Sequence, residues 1–333
     1  MRTLINKKIT ALVSLLFTAS LLFSAEMALA ADSVKIGYQT GIDPSKVALA
    51  DGLFEKNSGQ KIEWHRFDNG AEVVRALASG DIDIGNVGST IVATAGARKL
   101  PITTFLIAAE LGTSEALVVR NNSGINSPQD LIGKTIAVPF VSTSHYSLLA
   151  ALKHWGIDRS KVKIINLRGS EIPAAWKRGD IDAAYVWEPA LGAIKESGKV
   201  LVSSADLSSW GLPTYDVWVV RNQFAEKNAD FLNSFSKTTF DFFATYKANP
   251  TPFAYNAENL QKIGRVTGAK PSDITTLLGG NQYPSAEQQK DILSKRYVQA
   301  ISDTAAFLKE QGKLDSVAAD YSSYATTKFL GIK

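Results

Sequence analysis

Hydroxyl side chains cluster at two places where this chain is expected to start a helix. Ser142-Thr143-Ser144-His145 follows the apolar run Thr135-Ile136-Ala137-Val138, and Gly88-Ser89-Thr90 follows Ile82-Asp83-Ile84-Gly85. The first turn of a helix carries amide N–H groups without intrahelical acceptors, and a partial positive charge. Hydroxyls add donors there without adding net charge. Together they can hold a tetrahedral oxyanion such as a sulfonate, sulfate or phosphate. The same residue types are also ordinary N-caps. One such start is unremarkable, and two in lobes that face each other suggest a ligand.

Three carboxylates lie near the same loops. Glu115 follows the flexible Gly112-Thr113-Ser114, Glu188 follows Trp187, and Asp216 follows Pro213-Thr214-Tyr215. A carboxylate flanked by aromatic rings suits an ammonium, through charge pairing and cation–π contact. Tyr38, Tyr146, Trp187 and Trp218 are the aromatic candidates. Solvated carboxylates and core aromatics are the ordinary alternative.

Signals for catalysis are weak. His65 falls in a strand and His154 in a helix, at no metal-ligand spacing, while His145 sits in the hydroxyl-rich start and is placed to donate to an anion. There is no G-x-S-x-G, no G-x-G-x-x-G and no phosphate loop. The chain has no cysteine, which removes disulfides, thiolate metal sites, cysteine nucleophiles and iron–sulfur clusters. No cofactor or metal is expected.

The elements that must position these groups follow a regular order. Strands are expected near 34–40, 62–67, 82–85, 101–109 and 115–119, with helices between the earlier ones. This predicts a mostly parallel sheet with helices on both faces. The polar stretch 121–127 reads as a crossing, after which the pattern restarts with strands near 135–139, 162–167 and 199–202. The segment 212–220 reads as the return. Residues 31–120 and 216–333 are therefore assigned to lobe I and 121–215 to lobe II. An internal echo supports two similar lobes. Arg75-Ala76-Leu77-Ala78-Ser79-Gly80-Asp81-Ile82-Asp83 and Ala175-Trp176-Lys177-Arg178-Gly179-Asp180-Ile181-Asp182 each read as a helix end, a glycine exit and a strand. Their aspartates read as scaffold, and the chemistry is expected just past the strands. The stripe Phe231, Phe235, Phe242 and Tyr246 reads as core.

The N-terminus reads as a secretory leader over 1–30. Arg2, Lys7 and Lys8 precede an apolar stretch, and Ala28-Leu29-Ala30 is an A-x-A site with cleavage expected at Ala30/Ala31. Removing the leader, with its one acidic residue Glu26, takes the formal charge from +4 to +2. That balance gives no reason to expect nucleic acid or an anionic membrane as a partner.

Several segments carry a family resemblance. Tyr38-Gln39-Thr40, Phe67-Asp68-Asn69-Gly70-Ala71, Gly112-Thr113-Ser114-Glu115-Ala116, Val141-Ser142-Thr143-Ser144-His145-Tyr146, Ala184-Tyr185-Val186-Trp187 and Tyr215-Asp216-Val217-Trp218 closely resemble the periplasmic taurine binders of ABC importers, a branch of the aliphatic-sulfonate-binding protein family. The resemblance covers nearly the whole chain beyond the leader. It implies a two-lobed α/β periplasmic binding protein (type II-like) with its ligand in the cleft, a membrane permease as partner, and a role in sulfur supply. It also implies that a sulfonate sits against Gln39, Ser89, Thr90, Thr143, Ser144 and His145. The ammonium would face Asp216, with Glu115 and Glu188 behind it and Trp187 and Tyr146 as aromatic wall. A monomer closing about a hinge is expected. Two other readings stand beside this one: a binder of aliphatic sulfonates or nitrate, and a thiamine-pyrimidine-synthase-like enzyme. The enzyme would need an intracellular location and a cysteine-rich iron motif.

Overall fold

The computed structural model describes residues 33–331. The expected leader and its cleavage point lie outside the described residues. Strand-forming runs rich in Val, Ile and Ala build two five-stranded sheets. The first contains β1 (Val34–Tyr38), β2 (Ile62–Arg66), β3 (Ile84–Gly88), β4 (Ile102–Glu110) and β10 (Tyr215–Arg221), in the order β2-β1-β3-β10-β4. The second contains β5 (Glu115–Arg120), β6 (Thr135–Val138), β7 (Lys163–Asn166), β8 (Ala183–Trp187) and β9 (Gly198–Ser203), in the order β7-β6-β8-β5-β9.

The two sheets share one plan. β1 pairs in parallel with β2 and β3, and β6 in parallel with β7 and β8. An antiparallel strand is then inserted in each: β10 between β3 and β4, and β5 between β8 and β9. Each inserted strand is the one by which the chain enters from the other sheet: β5 across residues 111–114, and β10 after the short helix Ser204–Ser209. The expected mostly parallel sheets are therefore mixed.

This topology moves the first crossing. β5 pairs with β8 from Glu115↔Trp187 to Val119↔Ala183, so the passage is residues 111–114 and not 121–127. Glu115–Arg120, expected in lobe I, belongs to the second sheet. The polar 121–127 stretch is a turn, with Asn122 at φ 63°, that leads into the short Pro128–Leu131 helix. The assignment of all of 216–333 to lobe I also needs revision. Phe253, Ile263, Ile274, Leu277 and Leu278 pack with Val118, Ala184 and Val186 of the second sheet. They bury an apolar face that strands β5 and β8 would otherwise leave wet, at about 1.5–3 kcal/mol per large side chain.

The echoed stretches do matching structural work. Gly80 and Gly179 end their helices in the left-handed region at φ 83° and 85°, where a Cβ would be strained. Asp83 Oδ2 accepts from the Lys35 amide at 3.0 Å, and Asp182 Oδ2 from the Thr135 amide at 2.8 Å. Each aspartate thus ties the third parallel strand of its sheet to the start of the first. Phe231 and Phe235 are buried behind the first sheet, Phe243 is buried beside Tyr283, Phe242 is partly buried between the cores of both sheets, and Tyr246 packs on the core of the second. No helix among the described residues is long and apolar enough to cross a membrane.

Candidate functional site

The loops that leave β1, β3, β6 and β8 meet the 111–114 passage around one cavity of about 590 Å³, its open mouth included. Loops past the carboxyl ends of parallel strands are where open α/β sheets place ligands. Gln39, Thr143, Glu115, Trp187, Glu188 and Asp216, all expected at the site, line it together. The two hydroxyl-rich helix starts do face each other: a Cβ added at Gly88 would stand 2.7 Å from Thr143 Cγ2. The lobes also touch beyond the cavity. Thr40 Oγ1 donates to the Glu188 carbonyl at 2.7 Å, Ser170 Oγ to Asp68 Oδ2 at 2.9 Å, and Arg168 pairs with Glu72 at 3.2 Å.

Each carboxylate has its own environment. Glu115 is buried; its Oε1 accepts from Thr143 Oγ1 at 2.5 Å and its Oε2 from Ser204 Oγ at 3.0 Å. Burial raises its pKa, and the hydroxyls of Thr143, Ser144 and Ser204 oppose that rise. Asp216 is half-buried at the start of β10 and stands over Gly41, where a Cβ would lie 2.8 Å from Oδ2. Burial, seconded by the charge of Glu115, pushes its pKa up to about 7, against the pull of Lys46. Glu188 is also pushed up to about 7, first by burial, with the Gly192 amide opposing and Asp273 adding to the rise. None of the residues lining the cavity is Lys, Arg or His. Within the lining, positive potential comes from helix-start amides, at Ser89 and at Thr143, with the buried Lys46 acting from behind.

Five expected residues do not reach the lining. Ser89 Oγ accepts from the Tyr215 amide at 3.2 Å and so anchors β10. Thr90 is fully buried in the helix behind Gly88. Ser144 is buried behind Thr143, on the Glu115 side. Tyr146 points into the second-sheet core, edge-on to Phe307 at 5.4 Å.

His145 is the clearest departure. Its Nδ1 accepts from the Val141 amide at 3.2 Å, and its ring stacks on Phe140 at 4.5 Å. It holds the turn in which Val141 takes φ 64°, a costly value for a β-branched residue. Burial, reinforced by Lys313 and Arg159, drops its pKa to about 4. It is therefore a neutral turn support and not a cationic anion donor. Its imidazole proton resonances should not titrate between about pH 5.5 and 8 in an NMR series; a midpoint near the ordinary histidine value would contradict this placement.

Other lining residues carried no sequence signal for this site. Asn281 Oδ1 accepts from the Gly112 amide at 2.9 Å and from Ser114 Oγ at 2.7 Å, which fixes the passage. Leu277 from the Pro271–Gly280 helix closes one side. The Gly279-Gly280-Asn281 breaker marks that helix end but gives no hint of where it docks. Trp218, an aromatic candidate, is buried among Phe235 and Trp64, with Lys46 Nζ 5.7 Å from its ring. Lys46 itself is buried and paired with Asp43 at 2.6 Å.

A two-lobed α/β fold with its ligand cavity at the crossings between sheets is the architecture of a solute-capturing protein. Residues 32–250 match the family described as the substrate binding domain of ABC-type glycine betaine transport system, and the chain belongs to that family of binding proteins, which are not enzymes. Over 326 residues it is 50% identical to the taurine-binding periplasmic protein of Escherichia coli (strain K12), covering 98% of this chain and 99% of that one. It is 30% identical over 221 residues to a putative aliphatic sulfonates-binding protein of the same strain, covering 64% and 68% of the two chains. In fold it resembles the periplasmic aliphatic sulphonate binding protein SsuA from Escherichia coli, with TM-score 0.71 at 23% identity, covering 87% of this chain and 96% of that one. It also resembles the alkanesulfonate-binding protein SsuA from Xanthomonas axonopodis pv. citri bound to MOPS, with TM-score 0.72 at 22% identity, covering 90% and 100%.

Proposed function

We propose that this chain captures taurine, 2-aminoethanesulfonate, in the periplasm and hands it to the permease of an ABC importer as a sulfur source. It acts as a monomer freed from its leader. The observation that carries the reading is the charge pattern of the cavity. Three carboxylates and no basic side chain line it. Such a wall rejects a simple anion and favours a ligand that brings its own cation. Asp216 is assigned to that cation, because Glu115 is committed to Thr143 and Ser204 and the Glu188 carboxyl is held back against Gly192, near Asp273. Gln39 and the amides at Thr143 and Gly88–Ser89 are assigned to the sulfonate. A quaternary ammonium, as in glycine betaine, has no N–H to give Asp216 and is ordinarily held by several aromatic rings. Here Trp187 is the one aromatic residue in the lining. An uncharged tail, as in a plain alkanesulfonate, would leave Asp216 unpaired.

Isothermal titration with taurine, ethanesulfonate, glycine betaine and sulfate tests this. Saturable heat is expected with taurine alone at micromolar ligand, and no saturation at millimolar taurine would end the reading. The affinity should also depend on pH with a defined sign. An ammonium pairs with ionised Asp216, whose pKa stands near 7 in the empty site. Below that value the ligand must displace a proton, so affinity should fall up to about tenfold per pH unit. It should level off above about pH 8. The Asp216→Asn variant should lose most of this slope.

A further inference from the structure

Beyond the enclosed cavity the cleft holds a second one, about 880 Å³ with its mouth included. Arg66 and Asp68 reach it from the first-sheet side, and Pro173, Pro189, Ala190 and Ala193 give it an apolar floor from the second. Trp187 and Glu188 line both cavities, so they form the shared wall. Trp187 ends β8 directly opposite Glu115 in the β5–β8 register, which sets it at the ligand end of the sheet. Thr40 holds the wall's backbone across the cleft through the Glu188 carbonyl.

Glu188 is an unusual choice for such a wall. It is 3% exposed, and its Oε2 is buried without a hydrogen bond. The carboxyl is confined from behind: a Cβ at Gly192 would stand 2.9 Å from Oε2 and 2.6 Å from Asp273 Oδ2. A buried carboxyl with an unpaired oxygen lowers stability. Its presence here points to a task at the cleft and not to folding.

We infer that Trp187 and Glu188 set the upper limit on ligand length: they close the chamber around a two-carbon zwitterion and bar longer amine-bearing sulfonates from running on into the outer cavity. The inference rests on the sulfonate reading above. The outer cavity has the chemistry to take such a tail, with prolines and alanines for its apolar part and Asp68 at the rim for a distal ammonium.

The test is calorimetry in phosphate buffer with taurine and with MOPS, whose sulfonate carries a three-carbon chain ending in a morpholinium ring. The parent protein should prefer taurine by about a hundredfold or more. Glu188→Ala should bind MOPS roughly tenfold tighter than the parent does, with a thermal midpoint no lower than the parent's. Glu188→Gln keeps the length of the side chain and should show no gain. Refilling the outer cavity in Glu188→Ala/Ala193→Phe should erase the gain. Trp187→Ala opens the same wall and carries the same expectation should Glu188→Ala fail to fold. The inference is overturned if the parent binds MOPS as tightly as taurine, if Glu188→Gln gains as much as Glu188→Ala, or if a folded wall variant binds taurine and gains nothing for MOPS. A parent that binds no taurine would instead bring down the sulfonate reading, and this one with it.

Discussion

Asp216→Asn should weaken taurine binding by about 2–5 kcal/mol, roughly 30-fold to several thousandfold, while ethanesulfonate loses far less. The size follows from where the charge sits. Asp216 is half-buried beside a buried Glu115, so a ligand ammonium left without it would lose its direct charge partner in a largely desolvated site. Asparagine keeps the shape and one acceptor, so the fold should stand. Gly41 leaves the carboxylate its room. Titration calorimetry on both ligands checks this. Equal losses for taurine and ethanesulfonate would make Asp216 a structural residue and reassign the cation to Glu188.

Gly112→Ala should cost about 3 kcal/mol or more of folding stability. The new Cβ would stand 1.8 Å from the Gly280 carbonyl oxygen, which is backbone and cannot swing aside. The approach is tight because three bonds join the two segments. Thr113 N donates to Gly280 O at 3.0 Å, and Asn281 Oδ1 accepts from Gly112 N and Ser114 Oγ. Urea unfolding followed by tryptophan fluorescence gives the loss. Taurine affinity should fall as well, because the passage positions Ser114 and Glu115. A variant within about 0.5 kcal/mol of the parent would show that the 111–114 passage yields easily.

Much of the cavity was legible from residue types. Gln39, Thr143, Trp187 and Glu188 lie at or just past the ends of apolar strands, Glu115 and Asp216 open the antiparallel strands beside them, and all six line one cavity. What failed was direction. On a helix, successive side chains point about 100° apart, so a dense run such as Thr143-Ser144-His145-Tyr146 can turn only part of itself to the cleft. Thr143 does so, and His145 and Tyr146 face Phe140 and Phe307. The first crossing is hidden in the sequence for another reason. Ala116, Leu117, Val118 and Val119 are all buried, and an inner strand apolar on both faces reads the same in either sheet. The polar stretch after it looked more like a linker than the four residues that do the work. Asn281 and Leu277 reach the cavity from well over a hundred residues beyond the passage they pack on, a distance that no local pattern encodes.

The insertion of β10 between β3 and β4 has a bearing on how the chain reaches this structure. Those two neighbours lie within residues 84–110, yet the strand that joins them begins at Tyr215. Until residues near 221 are available, the first sheet is two unconnected pieces, β2-β1-β3 and a lone β4. Forming it closes a loop of more than a hundred residues, and contacts of such long range make folding slow. A chain synthesised from its N-terminus therefore cannot complete its first sheet until about two-thirds of it has been made, and its early strands wait for a partner that arrives late.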